Sequence, residues 1–214
     1  MIRFIFFAAV ALATAGCSQL GGPSTDTRAE QLWASRQLAA DAVVSWDLRA
    51  RAALRMEGEA YNINLSWQRD EERFKMLLEA PFGQGVFRIA GSGQGRYRLR
   101  LPDGQEFIND TPEALLEDAI GWSLPIGGLE YWIRGMPQPG GDYSRRIDRQ
   151  GRARSITQDR WDISYLDYFD PPQEPQLPRR IKLERDELSL KLVIERWQST
   201  ETEQTSSDLF PEFN

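Results

Sequence analysis

Residues 121–137 read GWSLPIGGLEYWIRGMP, and the fold turns on this stretch. Pro125, Pro137, Gly121, Gly127, Gly128 and Gly135 break any long regular element, yet Leu124, Ile126, Leu129, Trp132 and Ile133 demand burial. The sequence on both sides alternates as β-strands do, and this segment cannot continue that pattern. It reads as a helical insert laid across a sheet, partly closing an apolar concavity formed by curved antiparallel strands. That concavity, and not a polar catalytic cleft, is the expected working part.

Toward the N-terminus the alternation is plain. Trp46, Leu48, Ala50, Ala52, Leu54 and Met56 fall on one face of a strand, and Asp47, Arg49, Arg51, Arg55 and Glu57 on the other, so one side is wet. A turn at Gly58 leads to Tyr61, Ile63, Leu65 and Trp67, which alternate with Asn62, Asn64, Ser66 and Gln68 and complete a hairpin. Phe74, Met76 and Leu78 continue the apolar face after a charged turn from Asp70 to Arg73. The loop from Glu79 to Gly85 then sets Phe82 between Pro81 and Gly83, before a strand over Val86–Ala90. Composition leaves two readings of Phe82, folded back on the core or protruding.

Gly91 to Gly95, GSGQG, lacks the Lys-Ser/Thr of a phosphate loop and reads as a β-turn. Arg96, Arg98 and Arg100 alternate with Tyr97, Leu99 and Leu101, and are expected to be solvated outer-face charges balanced by acids elsewhere. Thr111 and Pro112 start a helix, as N-cap and first helical residue, with Glu113 at the positive end of the dipole. Leu115, Leu116, Ala119 and Ile120 form its buried stripe, and the helix runs into the insert.

Beyond Gly141, strands are expected over Tyr143–Arg149, Ala153–Gln158, Trp161–Phe169, Arg179–Glu184 and Leu188–Trp197. In the last, Leu188, Leu190, Leu192 and Ile194 oppose Ser189, Lys191 and Glu195, while Pro171, Pro172, Pro175 and Pro178 keep the preceding loop extended.

At the N-terminus Arg3, the apolar run Phe4–Ala13 and small residues to Gly16 make up a secretory signal peptide, too short to span a bilayer. Ala15-Gly16-Cys17 resembles a bacterial lipobox, with Thr14 in place of the usual Leu, so the sole cysteine is the expected acylation site. Ser18 is not the aspartate associated with inner-membrane retention in bacterial lipoproteins, which favours the outer membrane. Residues 1–16 are thus read as a lipoprotein signal peptide, 17–27 as a lipid-anchored tether, 28–198 as one domain opening with a helix over Arg28–Val43, and 199–214 as a disordered acidic tail.

A net charge of −6 without a basic tract argues against nucleic acid. The absence of histidine, with Cys17 expected to be acylated, removes Ser-His-Asp, Cys-His and His-based zinc chemistry. Asp70, Glu71, Glu72, Asp103 and Asp186 lie on turns and polar strand faces and read as solvated. No catalytic residue, metal or cofactor is expected. The seven tryptophans, Trp33, Trp46, Trp67, Trp122, Trp132, Trp161 and Trp197, suit either a plain core or a ligand-lining wall.

Several segments in order carry a resemblance: Trp46 with Arg51-Ala52-Ala53-Leu54, Ser66-Trp67-Gln68, Ala80-Pro81-Phe82-Gly83, Gly121-Trp122-Ser123-Leu124-Pro125, Trp132-Ile133-Arg134-Gly135-Met136-Pro137, Gln158 with Trp161, and Leu177-Pro178-Arg179-Arg180-Ile181. Over about residues 33–197 the chain resembles the LolB family of outer-membrane lipoproteins, with Ala50-Arg51 where Gly-Arg is usual and a tail after Gln198 outside the family pattern. The resemblance implies a mainly β fold with helices (α+β), a half-open curved antiparallel β-barrel with a helical lid over an apolar cavity. It implies a monomer that takes acylated lipoprotein cargo from a LolA-like periplasmic carrier and inserts it, without an energy source, into the inner leaflet of the outer membrane.

By position, Pro81, Phe82 and Gly83 would form the membrane-insertion loop with Phe82 protruding. Trp46, Leu48, Leu54, Trp67, Phe74, Leu78, Trp122, Leu124, Trp132, Trp161 and Ile163 are the residues expected to line the acyl-chain cavity. The rival reading is a lipid-anchored structural or assembly protein of the outer membrane, its concavity filled by its own side chains.

Overall fold

The computed structural model describes residues 25–79, 85–92, 95–120, 123–171 and 176–199. The expected signal peptide, Cys17, loop residues 81–83, Trp122 and the acidic tail from residue 200 lie outside these. Along the chain, α1 (Thr25–Asp41) precedes β1 (Ser45–Met56), β2 (Glu59–Asp70), β3 (Arg73–Glu79), β4 (Val86–Ser92), β5 (Arg96–Arg100) and β6 (Glu106–Asn109). Then come α2 (Pro112–Ile120), α3 (Ile126–Trp132), β7 (Tyr143–Ile147), β8 (Ala153–Gln158), β9 (Trp161–Tyr168), β10 (Pro178–Arg185) and β11 (Leu188–Ser199). Every expected strand forms, with ends shifted by at most a few residues.

All eleven strands join one antiparallel sheet in the order β6-β5-β4-β3-β2-β1-β11-β10-β9-β8-β7. Each half is a meander of sequential neighbours, and the pairing of β1 with β11 unites them. The edges, β6 and β7, are consecutive in the chain and unpaired with each other, so the sheet is open. The insert bridges from one edge to the other, which is why residues 121–137 cannot be strand.

The expected alternation governs burial. Along β1, Trp46, Leu48, Ala50, Ala52 and Leu54 are buried while Arg49, Arg51 and Arg55 are exposed. Along β11 the period breaks: Ile194 and Trp197 are three residues apart yet both buried. A register shift between Arg49 and Ala50 explains this, because Ile194 pairs with Ala50 and Trp197 with Leu48, leaving Glu195 as the extra residue of a bulge. On β4 Gly91 faces Tyr97, and a Cβ there would meet the tyrosine ring at 2.3 Å, so the ring lies over bare backbone.

Helix α1 buries Ala29, Trp33 and Ala40 on one side, whereas Leu38 is exposed. It packs on the β7–β8 turn: Arg36 Nε donates to the Gln150 carbonyl at 2.8 Å, and Arg145 reaches Glu30 and the Trp33 ring. The contact depends on Gly151, whose φ is +69° and whose added Cβ would lie 2.5 Å from the Trp33 backbone nitrogen. Gly140 has a similar φ of +85° and open space around it. Thermal unfolding should therefore show Gly151→Ala losing about 2–4 kcal/mol through strain plus clash, and Gly140→Ala only about 1 kcal/mol through strain.

Candidate functional site: the apolar inner face and its helical cover

The register arranges the inward side chains in rows across the sheet. One row runs Leu99, Ile89, Met76, Trp67, Leu48, Trp197, and the next Phe87, Leu78, Leu65, Ala50, Ile194. A third runs Ile63, Ala52, Leu192, Ile181, Tyr165, and a fourth Leu54, Leu190, Leu183, Ile163, Ile156. At the β7 edge the fourth row ends on Arg145, which pairs with Ile156 and reaches Glu30 and the Trp33 ring of α1; the residues named in the four rows are otherwise uncharged. Ala50 and Ala52 hold the centre, where inward side chains on a concave face crowd most.

The cover is built from the insert. Thr111 caps α2, its Oγ1 accepting from the Ala114 amide at 3.2 Å, as its sequence position foretold. Glu113 does more than favour the dipole, for its Oε1 accepts from the Gly127 amide at 2.7 Å and so ties α2 to the start of α3. Trp132 Nε1 donates to Gln158 Oε1 at 3.0 Å, and the Tyr165 hydroxyl donates to the Trp132 carbonyl at 3.0 Å. Burial pushes the Tyr165 hydroxyl well above its ordinary value, so it stays a donor.

Three buried or half-buried ions fix the cover further. Arg134 donates to the Ala40 carbonyl at 3.0 Å and the Val43 carbonyl at 3.4 Å, holding the C-terminal carbonyls of α1 with a cation. Arg69 of β2 meets Glu130 of α3 at 2.9 Å. Burial raises the Glu130 carboxyl above its ordinary value, with Arg69 and Arg134 opposing the shift, and burial lowers the Arg134 guanidinium, with Glu130 opposing.

Of the expected cavity residues, Trp46, Leu48, Leu54, Trp67, Phe74, Leu124, Trp132, Trp161 and Ile163 are all buried in one cluster, Leu78 is half-buried against it, and Trp122 lies outside the described residues. The chain's own side chains cover the inner face. A small pocket of about 20 Å³ beneath α1, bordered by Arg36, Arg134, Arg152 and Tyr168, includes none of these residues. Burial falls off toward one end of the sheet, where Ile63, Leu78 and Phe87 are half-buried and Tyr61, expected inward, is 41 % exposed. At that end β3 stops at Glu79 and β4 starts at Val86, so the 80–85 loop departs there, and Gly85 packs on Pro102. Sequence read Glu113 only as a dipole charge and did not single out Glu130 or Arg69; their partners are distant in the chain.

The class these features define is an open antiparallel sheet with a largely apolar inner face covered by a helical insert. Among solved structures, a LolA superfamily protein from Nitrosomonas europaea matches with a TM-score of 0.51 at 11 % identity, covering 86 % of this chain and 97 % of that one, a likeness of fold alone. The profile of the family described as outer membrane lipoprotein LolB matches residues 44–197. The outer-membrane lipoprotein LolB of Nitrosococcus oceani is 38 % identical over 86 % of this chain and 91 % of its own length, and that of Alkalilimnicola ehrlichii 32 % identical over 91 % and 96 %. This chain belongs to the LolB family, a family of outer-membrane lipoproteins and not of enzymes. No helix among the described residues is long and apolar enough to cross a membrane.

A carboxyl whose folded value lies above its unfolded one is penalised on folding in its charged form, so its contribution is most favourable below the unfolded value and is lost as pH rises through the folded one. For Glu130 the reference is 4.5 and the shift is upward. Melting temperatures of wild type and Glu130→Gln should therefore shift relative to each other in favour of wild type as pH falls from 7 toward 4.5. A difference that moves the other way would mean the Arg69 pair outweighs burial.

Proposed function

We propose that the chain accepts the acyl chains of lipid-modified proteins from a LolA-like periplasmic carrier, shelters them against its inner face and releases them into the inner leaflet of the outer membrane. The observation that carries this reading is the set of four apolar cross-strand rows, charged only where Arg145 ends one of them at the β7 edge, lying beneath a cover of short helices. In it Cys17 bears the lipid anchor, residues 17–27 are the tether, residues 28–198 form the working domain as a monomer facing the periplasm, and residues 1–16 are removed.

Loading is then an exchange of contacts. Each methylene taken from water contributes about 0.8 kcal/mol wherever it is buried, so an acyl chain gains similarly in a carrier, on this face or in a bilayer. No nucleotide or metal is needed at this step, and direction comes from differences in affinity between successive hosts. Trp46, Leu48, Leu54, Trp67, Phe74, Leu78, Trp122, Leu124, Trp132, Trp161 and Ile163 are proposed to line the loaded site once the insert shifts. Pro81, Phe82 and Gly83, which lie in the chain between β3 and β4, are proposed to enter lipid.

The dense burial of the inner face favours one other reading, a lipid-anchored structural protein with a self-filled core. Mixing the chain from Ser18 onward with an acylated lipoprotein on its soluble carrier separates the two: cargo changes hands without added energy if the receptor reading holds, and stays on the carrier if the structural one does. Leu54→Trp, which adds bulk to the fourth row, should slow acceptance at least several-fold in a folded variant. Phe82→Glu should accept cargo normally and fail to deliver it to vesicles; loss of acceptance instead would place Phe82 in the cavity.

A further inference from the structure

One stretch of the sheet's outer face gathers five cations. Arg88 of β4 and Arg96, Arg98 and Arg100 of β5 point away from the core, and Lys75 of β3 shares the row of Arg98 across Ala90. The register sets Arg88 directly opposite Arg100, a like-charge cross-strand pair that is destabilising by itself. Glu79 and Glu106 are the carboxylates of this stretch; Glu106 lies opposite Arg100 in the register without forming an ion pair with it, and reaches Arg98 at 3.8 Å with both side chains well exposed. Among the described residues Arg88, Arg96 and Arg100 have no ion-pair partner, so the acids expected to balance these arginines do so for Arg98 alone. Between the charges lies Ile108, 58 % exposed.

Two further facts give this face a direction. The whole chain carries −6, so an anionic surface repels most of the molecule and attracts this part. Arg88 lies two residues beyond the start of β4, which follows the loop holding Phe82, and Arg100 lies two residues before Pro102, on which Gly85 of that loop packs. The basic face thus borders the segment proposed to enter lipid.

We infer that the outer face of β4 and β5 docks on the phosphodiester headgroups of anionic phospholipids and so sets the angle at which residues 81–83 meet the leaflet. The inference rests on the reading that this loop enters the membrane. Arginine suits the task because its planar guanidinium presents paired donors to phosphate oxygens, and the exposed Ile108 beside Arg98 suits the apolar side of the headgroup layer.

The test uses the chain from Ser18 onward, which keeps every described residue, and measures its partitioning onto phosphatidylcholine vesicles with and without roughly one third phosphatidylglycerol. Wild type should bind the anionic vesicles at least about tenfold better, and raising salt from about 0.1 M to about 0.5 M should erase the difference. Arg88→Gln with Arg100→Gln should lower anionic binding by about twentyfold, leave neutral binding unchanged, and melt close to wild type, because the repulsion between the two arginines and the attraction of Arg100 to Glu106 are lost together. Arg154→Gln with Arg196→Gln, on β8 and β11, is the control and should change little.

Equal binding to both vesicles, or a loss no larger than the control's, overturns the inference. If Phe82→Glu abolishes binding to both vesicles while the Arg88/Arg100 variant behaves as wild type, the loop reading stands and this one falls. If Phe82→Glu changes nothing and the arginine variant loses anionic binding, the headgroup contact stands and the loop reading falls. If the arginine variant keeps its vesicle binding but takes cargo more slowly from the carrier in lipid-free solution, the face belongs to an acidic protein partner and the inference is wrong.

Discussion

A single buried amide holds the insert in place. Gln158, 2 % exposed at the end of β8, accepts from Trp132 Nε1 and from the Gln138 amide at 2.8 Å, and its Nε2 donates to the Gln138 carbonyl at 2.7 Å. Buried amides left unsatisfied are costly, so each of these bonds obliges the others, and together they pin the end of α3 and the chain beyond it to the sheet. Arg134, Tyr165 and the Arg69–Glu130 pair fasten the same short segment to α1, β9 and β2. Among the described residues α2 is tied by Glu113 to α3 and by an exposed bond from Asn109 to Asp118 to β6, and otherwise rests on β5 and β6 by packing, with no buried polar tie to match these. The half of the cover over the β6 edge is therefore the half held with less, and a cover that must yield to cargo would yield there first.

The sheet solves an edge problem in the same way. Eleven strands leave β6 and β7 with unpaired backbone groups, and exposed edges invite pairing with other chains. Each edge is guarded by a helix: Asp118 of α2 accepts from Asn109 Nδ2 on β6 at 2.7 Å, and α1 lies on β7 through Glu30, Trp33 and Arg145. The opening is thus kept without strand closure, which is compatible with an inner face that changes its occupant.

Much of this was readable before any coordinates. The period of two from Trp46 to Met56 and from Leu188 to Ile194 named the inner face, because alternation is a local consequence of the pleat. Residues 121–137 betrayed the insert by combining prolines and glycines with apolar residues that need cover. What stayed hidden depends on long-range pairing. The bulge opposite Arg49 and Ala50 turns Trp197 inward, and nothing local to Trp197 announces it. Asp159 and Arg160 adopt left-handed φ of 51° and 64° to turn β8 into β9, with no glycine to mark the turn. Arg134 and Gln158 were visible as parts of a family pattern, but their work as clamps of the insert depends on partners far away in the chain. The opposition of Arg88 and Arg100 likewise exists only once β4 and β5 are in register. The self-covered inner face was one of two readings open to the sequence, which could not choose between them, since the same apolar residues line a void or fill it.

The aromatic side chains of the inner face are not scattered. Trp197 stacks on Trp46 at 5.0 Å, Trp46 meets Trp67 edge-on at 5.0 Å, Trp67 meets Phe74 at 5.6 Å, and Phe74 meets Tyr97 at 6.0 Å. This seam crosses β11, β1, β2, β3 and β5 at the end of the sheet remote from the 80–85 loop, while the rows nearer that loop are mostly aliphatic, with Phe87 and Tyr165 as their rings. Interlocked rings move only as a group, whereas leucine, isoleucine and alanine shift singly at little cost. The consequence is mechanical: the sheet has a stiff end that keeps its curvature and a compliant end that can breathe, like a clasp riveted on one side.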